Sequence, residues 1–297
     1  EVPGGNLYEE TYMENYRREI RLDLDALHGR ADIPERLGRA WGKYRVDVAP
    51  YLSALLVGRE ILPEEVRGTN KANPGKNSYA GIYVQAVNAT PAETWLAEIC
   101  DYVVNYSNET YGWQTPVSFV SWPTLDPMAH PTELTPGGRK DLEYNDSEVI
   151  NPAHLAVGPQ SKAGFFASYH IYPNYPDFMN REAAYADYRD EEGILRYGGY
   201  LRQFMSEHPD YPALVAEFGM SSSLNTAHLQ PEGFNHGGIS EVKQGTLTSR
   251  MMHSIVKEGY AGGIIFQWAD EWAKKTWITE TQMIPYERHV LWHNTID

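Results

Sequence analysis

The sequence contains a single cysteine, Cys100, so no disulfide can form within the chain. Cys100 falls on the apolar face of a predicted helix, which favours a small buried residue over a nucleophile. No apolar run approaches the roughly 18 residues of a membrane span, and no membrane contact is expected from this segment. The chain begins without a signal-peptide pattern or an initiator Met, as expected for a mature form or an excised piece of a longer protein.

Basic residues are also scarce. Lys and Arg total 25 against 40 Asp and Glu, which gives a formal net charge of −15. Nucleic acids and anionic membranes require a basic surface, so neither is an expected partner, whereas a neutral sugar is compatible. The sequence lacks a Gly-rich phosphate-binding turn after an early strand, and no cofactor is expected.

Two apolar runs each end in a lone carboxylate. Residues 213–219 read Ala-Leu-Val-Ala-Glu-Phe-Gly, and residues 52–60 read Leu-Ser-Ala-Leu-Leu-Val-Gly-Arg-Glu. Such runs are typical of buried parallel strands, and the acids Glu217 and Glu60 then lie at the carboxyl end of a sheet. Two carboxylates at such an edge suggest the pair that hydrolyses glycosidic bonds.

These runs belong to a series of predicted strands and helices that alternate. Strands are expected near 53–58, 117–121, 164–169, 212–216 and 262–267. Helices are expected near 11–28, 90–106 and 241–258, and residues 181–207 are expected to be mainly helical with a break near Gly193. The alternation predicts an α/β fold with a parallel sheet, and the long loops after the strand ends favour a TIM (β/α)₈-type barrel. An open, doubly wound sheet is the alternative. Residues 63–89 are expected to form a long polar loop.

The predicted strands are too few for a closed barrel. A barrel needs eight strands, and the 51 residues before the first predicted strand cannot hold three βα units of about 30 residues each. We therefore expect residues 1–297 to form a single catalytic barrel domain that carries strands four to eight and lacks the first three. An upstream segment or a second chain is expected to complete the barrel.

Four short motifs lie at the strand ends. They are Gly-Arg-Glu at 58–60, Trp-Pro-Thr-Leu-Asp-Pro at 122–127, Tyr-His-Ile-Tyr-Pro at 169–173 and Ala-Glu-Phe-Gly at 216–219. With these motifs the chain resembles the retaining glycoside hydrolases of clan A over about residues 50–270. In that clan an acid/base Glu ends the fourth barrel strand and a nucleophilic Glu ends the seventh, and Glu60 and Glu217 match those positions.

The resemblance implies an activity and a set of site residues. Glu217 would attack the anomeric carbon of a β-linked oligo- or polysaccharide, and Glu60 would act first as acid and then as base. Such retaining pairs lie about 5–5.5 Å apart, and transfer to a second sugar uses the same residues. The residues expected to contact the substrate are Arg59, Trp122, His170, Tyr172, Trp268, Asp270 and Glu271.

Arg59 departs from the clan pattern, which has Asn immediately before the acid/base. The departure leaves Glu64 and Glu65 open as alternatives for the acid and favours a competing class, a barrel that binds carbohydrate without cleaving it. A scaffold fragment with no site is a third class. A metal site built from His170, His228 and His236 is a further alternative, although no metal-binding spacing such as H-E-x-x-H is present.

Overall fold

The computed structural model describes residues 2–133, 147–208, 211–223 and 226–269. The chain divides into two compact units. Unit 1 comprises Glu1–Ser121, Leu125–Pro127 and Ser147–Ser168, and unit 2 comprises Trp122–Thr124, Met128–Asp146 and Tyr169–Asp297. No helix among the described residues is long and apolar enough to cross a membrane.

Three helices belong to unit 1. They are α1 (Glu10–Leu27), α2 (Pro63–Ala72) and α3 (Pro91–Tyr111). The predicted helices near 11–28 and 90–106 are confirmed as α1 and α3. The Thr90 hydroxyl accepts a hydrogen bond from the Glu93 N–H, and the Glu93 carboxylate accepts one from the Thr90 N–H, which is the capping box expected at this helix start. Trp95 and Cys100 on α3 are buried in the core of the unit.

The predicted loop over residues 63–89 is wrong in its first part, where α2 lies. Pro63 fits the first helical turn because its missing N–H has no partner there in any helix. Glu64 and Glu65 also lie in the first turn, where the helix dipole favours negative charge. The sequence contains these helix-start signals, but a loop was expected because the segment as a whole is polar. Glu64 and Glu65 are therefore helix residues.

Unit 1 also contains six complete short strands. They are β1 (Asp32–Ile33), β2 (Gly42–Lys43), β3 (Leu55–Val57), β4 (Val84–Ala86), β5 (Val117–Phe119) and β6 (Leu155–Val157). β1 pairs with β2 and β4 pairs with β6, both antiparallel, whereas β3 and β5 run parallel. On the other side of β5, Val117 pairs in parallel with Phe165, and the Ser121 N–H donates to the Ser168 carbonyl oxygen at 3.1 Å.

The next strand, β7 (Ala167–His170), begins in unit 1 and ends in unit 2. Among the described residues of unit 2, the helices are α4 (Phe178–Arg181), α5 (Arg196–Ser206) and α6 (Glu241–Lys257). The further strands described there are β8 (Arg189–Asp190), β9 (Gly193–Ile194), β10 (Ala213–Phe218), β11 (Thr226–His228), β12 (His236–Gly237) and β13 (Gly263–Ile265). β10 lies between β7 and β13 in a three-stranded sheet, and β10 runs parallel to β13.

The five predicted strands are therefore found, as β3, β5, β7, β10 and β13, and the pairs β3–β5 and β10–β13 are parallel as expected. The closed barrel stays a prediction. Of the mainly helical stretch expected over 181–207, α5 is confirmed, and the expected break near Gly193 is found as a hairpin of β8 and β9, where Gly193 has a φ of +123° that suits glycine. The helix expected over 241–258 is confirmed as α6.

The end of β13 exposes apolar side chains. Among the described residues, Ile264 and Ile265 are 49% and 58% exposed, and they point to opposite faces of the strand. Exposed apolar groups on an edge strand promote association between chains. We expect the purified chain to self-associate at high concentration, and the double substitution Ile264→Lys, Ile265→Lys to suppress this in size-exclusion chromatography with light scattering. Val242→Lys, at an exposed position of α6, is the control. A wild-type chain that stays monomeric would contradict the prediction.

Candidate functional site

Glu217 lies near the carboxyl end of β10. Val215, Ala216 and Phe218 beside it are buried, whereas the Glu217 side chain is 27% exposed. Consecutive buried residues of this kind are what a strand covered on both faces requires. The strand therefore delivers one carboxylate, still in contact with solvent, to the edge of its sheet.

Two side chains, one at the end of β7 and one two residues beyond it, contact the same oxygen of Glu217. The Tyr172 hydroxyl donates a hydrogen bond to Glu217 Oε2 at 2.8 Å, and His170 Nδ1 lies 3.4 Å from that atom. The His170 contact is long, and it is a hydrogen bond only when Nδ1 carries the proton. Between them, the Ile171 N–H donates to the backbone carbonyl oxygen of Glu217 at 2.9 Å. The structure thus brings together three residues that the sequence assigned to one site.

A row of three rings, those of Tyr175, His228 and His236, is linked to this group through the backbone within unit 2. Tyr172 pairs with Tyr175 in an antiparallel bridge, and the Tyr175 ring lies 5.8 Å from the ring of His228. The rings of His228 and His236 lie 6.2 Å apart and nearly parallel, on the antiparallel strands β11 and β12. In the sequence these histidines suggested metal ligands alone. No local pattern in the sequence indicates that these rings lie together, because the two histidines follow Tyr175 by more than 50 residues.

Both imidazoles in this row are shifted toward the neutral form. Burial lowers the pKa of His236 to about 4, and the neighbouring His228 adds to the effect. Burial also lowers the pKa of His228, although Asp177 opposes the shift. A neutral imidazole donates one hydrogen bond and accepts another, while its ring offers an apolar face. The row is therefore suited to bind a polar, uncharged ligand such as a sugar.

The segment that carries Glu60 belongs to unit 1. Glu60 is partly exposed and follows β3 by three residues. Arg59 Nη1 and Nη2 donate to the two carboxylate oxygens of Glu65 at 2.9 and 2.6 Å, and Nη1 also donates to the Glu60 carbonyl oxygen at 2.8 Å. The Arg59 guanidinium is thus bound to the backbone of Glu60 and to the side chain of Glu65.

Glu65 has the properties of a structural carboxylate. Its side chain is 5% exposed, and Oε2 also accepts the Leu62 N–H at 3.0 Å. Burial by itself would raise the pKa of Glu65, but the hydrogen bonds from Arg59 and from the backbone outweigh it and hold the pKa below its usual range. A general acid needs the opposite shift, so Glu65 is a poor substitute for Glu60.

The remaining predicted site residues are placed as follows. Trp122 is partly exposed and belongs to unit 2, and Trp268 after β13 is fully exposed. Asp270 and Glu271 lie outside the described residues. Within the part of the chain that the structure describes, no group of three or more His, Cys, Asp or Glu side chains could hold a metal ion. The metal alternative at the histidines therefore gains no support.

Comparison with known proteins finds no relative of this chain. No protein-family model, no curated protein and no solved structure matches the chain. The function must therefore be inferred from the residues and their contacts.

Protonation of His236 should destabilise the protein in acid. Its pKa of about 4 in the folded chain lies below that of an unfolded histidine, about 6.5, so the unfolded chain binds the proton more readily. The stabilisation that neutral His236 provides is complete above about pH 6.5 and is lost as the pH falls toward about 4. This loss lowers the free energy of unfolding by at most about 3 kcal/mol. We expect His236→Asn to show a smaller loss of melting temperature than wild type between about pH 7 and about pH 4.5. The exposed His253→Asn is the control, and an equal loss in all three proteins would contradict the prediction.

Proposed function

We propose that this protein is a retaining glycoside hydrolase that cleaves a β-linked oligo- or polysaccharide. In this proposal β3, β5, β7, β10 and β13 are strands four to eight of a (β/α)₈ barrel, and the parallel pairs β3–β5 and β10–β13 support it. The observation that carries the proposal is the 2.8 Å hydrogen bond from the Tyr172 hydroxyl to Glu217 Oε2. It holds a solvent-accessible carboxylate in one orientation at the carboxyl end of a buried strand, where barrel enzymes place catalytic groups.

In the first step, a Glu217 oxygen forms a bond to the anomeric carbon as the bond to the leaving oxygen breaks. Glu60 transfers its proton to that oxygen, so the leaving sugar departs as a neutral alcohol. In the second step, a water oxygen attacks the anomeric carbon and the ester to Glu217 breaks. Glu60 takes the proton from that water and returns to its starting state. Attack by a second sugar hydroxyl in place of water gives transfer by the same route.

Tyr172 and His170 have defined parts in this scheme. The hydroxyl of Tyr172 fixes the rotation of the Glu217 carboxylate, and Oε1 is the oxygen proposed to attack. A donor held in place in this way costs no reorganisation during the reaction. His170 meets Oε2 from the same strand end and limits the movement of the carboxylate. The row of Tyr175, His228 and His236 then offers a surface for a neighbouring sugar unit.

A carbohydrate-binding barrel without hydrolysis is the second candidate function. Arg59 favours it, because the retaining clan has Asn at this place and the guanidinium here is bound to Glu65. The same row of rings would serve such a binding protein. The two functions differ in one measurement: a binding protein shows saccharide affinity in calorimetry with no release of product.

Glu217→Gln should abolish turnover and leave the fold intact. The substitution keeps the side-chain shape but removes the nucleophilic charge, so we expect kcat to fall by at least about 10³-fold on the β-glucan or aryl β-glycoside that wild type cleaves best. Glu207→Gln, at the exposed end of α5, is the matched control. A fluorinated substrate that traps the glycosyl-enzyme should label a peptide containing Glu217, detected by mass spectrometry. Activity within a few-fold of wild type would assign the nucleophile elsewhere.

Tyr172→Phe should lower kcat more than it changes KM. The phenyl ring keeps the packing but removes the donor to Glu217 Oε2, and the loss of one such donor typically costs about 10²-fold. Steady-state kinetics and thermal melts of the same preparations separate this effect from instability. Tyr51→Phe, at an exposed position of unit 1, is the control. An unchanged kcat would remove Tyr172 from the mechanism.

A further inference from the structure

The chain makes a sharp turn between β3 and Glu60. Gly58 has a φ of +92°, a conformation that residues with a side chain rarely adopt. A Cβ at this position would also lie 3.1 Å from the hydroxyl oxygen of Tyr16. The path of the backbone after β3 is therefore set at a glycine, and Arg59 and Glu60 follow directly.

The Arg59 side chain then bridges the backbone of Glu60 and the side chain of Glu65. Its guanidinium forms a two-bond, fork-like pair with Glu65, at 2.9 and 2.6 Å, and donates at 2.8 Å to the carbonyl oxygen of Glu60 itself. The Glu65 carboxylate is itself held in place, because it accepts a hydrogen bond from the Leu62 N–H at the start of α2. We define these contacts of Arg59, Glu60, Leu62 and Glu65 as the clamp.

The clamp is held by charge as well as by geometry. Glu65 is almost fully buried, and its hydrogen bonds with Arg59 keep it ionised by holding its pKa below the usual range despite burial. The hydrogen bond to Glu65 in turn raises the pKa of Arg59, so the guanidinium stays charged. Lysine could keep the charge but not the planar fork, so the residue type matters.

We propose that Arg59 is a positioning residue for Glu60, in place of the direct sugar contact expected from the sequence. The clamp fixes the peptide group of Glu60, and through it the place from which the carboxyl group transfers a proton. This inference rests on the proposed function, in which Glu60 is the general acid and base.

Proton transfer by Glu60 gives this role a specific signature. In the first step a poor leaving group, such as a sugar or phenol, needs the proton as its bond to the anomeric carbon breaks. A dinitrophenolate leaves as a stable anion and needs little help. Displacement of Glu60 should therefore slow the cleavage of poor leaving groups far more than that of good ones, and kcat/KM reports this first step alone.

The test compares aryl β-glycosides that differ only in the leaving group, from dinitrophenyl to unsubstituted phenyl, on the sugar that wild type cleaves best. We expect Arg59→Ala and Glu65→Gln to lower kcat/KM by about 10²-fold or more for the phenyl glycoside and by only a few-fold for the dinitrophenyl glycoside. Arg59→Lys should lie between these variants and wild type. Arg67→Ala, which breaks the more exposed Arg67–Glu148 pair of the same unit, should match wild type on both substrates.

The outcomes separate the inference from the proposed function. An equal loss of kcat/KM on all leaving groups in Arg59→Ala, with a raised KM, would indicate a direct substrate contact and overturn the positioning role. If kcat/KM depends more steeply on the leaving group in Glu60→Gln than in wild type, but not in the Arg59 or Glu65 variants, the inference is overturned and the proposed function stays in place. No such dependence in Glu60→Gln, or no turnover by wild type, would overturn both. If Arg59→Ala fails to fold in thermal melts, Arg59→Lys and Glu65→Gln give the same reading.

Discussion

A carboxylate withdrawn from water must be matched by hydrogen-bond donors, and unit 1 is organised around this requirement. Glu93 on α3 is 1% exposed and accepts bonds from the backbone of Thr90 and Asn151 and from the His154 ring. Asp101 on the same helix accepts the N–H groups of Tyr83 and Val84, at the start of β4. These two acids tie α3 to segments distant in the sequence. Either one, left unmatched, would destabilise the unit strongly.

The same requirement helps to distinguish structural carboxylates from a catalytic candidate. The backbone donors that Glu93 and Asp101 accept cannot leave without unfolding a segment. Glu217 differs in that 27% of its side chain stays exposed, while the hydroxyl of Tyr172 and the imidazole of His170 contact one of its oxygens. A nucleophile must stay accessible to its substrate, so exposure together with a fixed donor distinguishes the catalytic candidate from the buried acids. Position at a strand end alone would not make this distinction.

The sequence predicts the elements of this protein better than their contacts. The strand before Glu217 and the capping box at Thr90 follow from local patterns, and both are found where expected. α2 was missed because its apolar positions are few, and its stability comes from contacts such as the burial of Val66, which no local pattern reveals. The Tyr172–Glu217 bond joins residues 45 positions apart, so the resemblance could suggest one site, but only the fold brings the side chains together.

The sequence and the structure lead to different interpretations of Arg59. As a residue type it is a departure from the retaining clan, and so it favours a protein that binds carbohydrate without cleaving it. As a set of contacts it forms the clamp, in which the guanidinium pairs with the buried carboxylate of Glu65 and donates to the carbonyl oxygen of Glu60. Sugar binding by itself does not need the peptide group of Glu60 to be fixed in this way, whereas proton transfer depends on the placement of the acid to within about 1 Å. Under the proposed function, an Arg at this place is therefore consistent with a different means of positioning the acid and not with its loss.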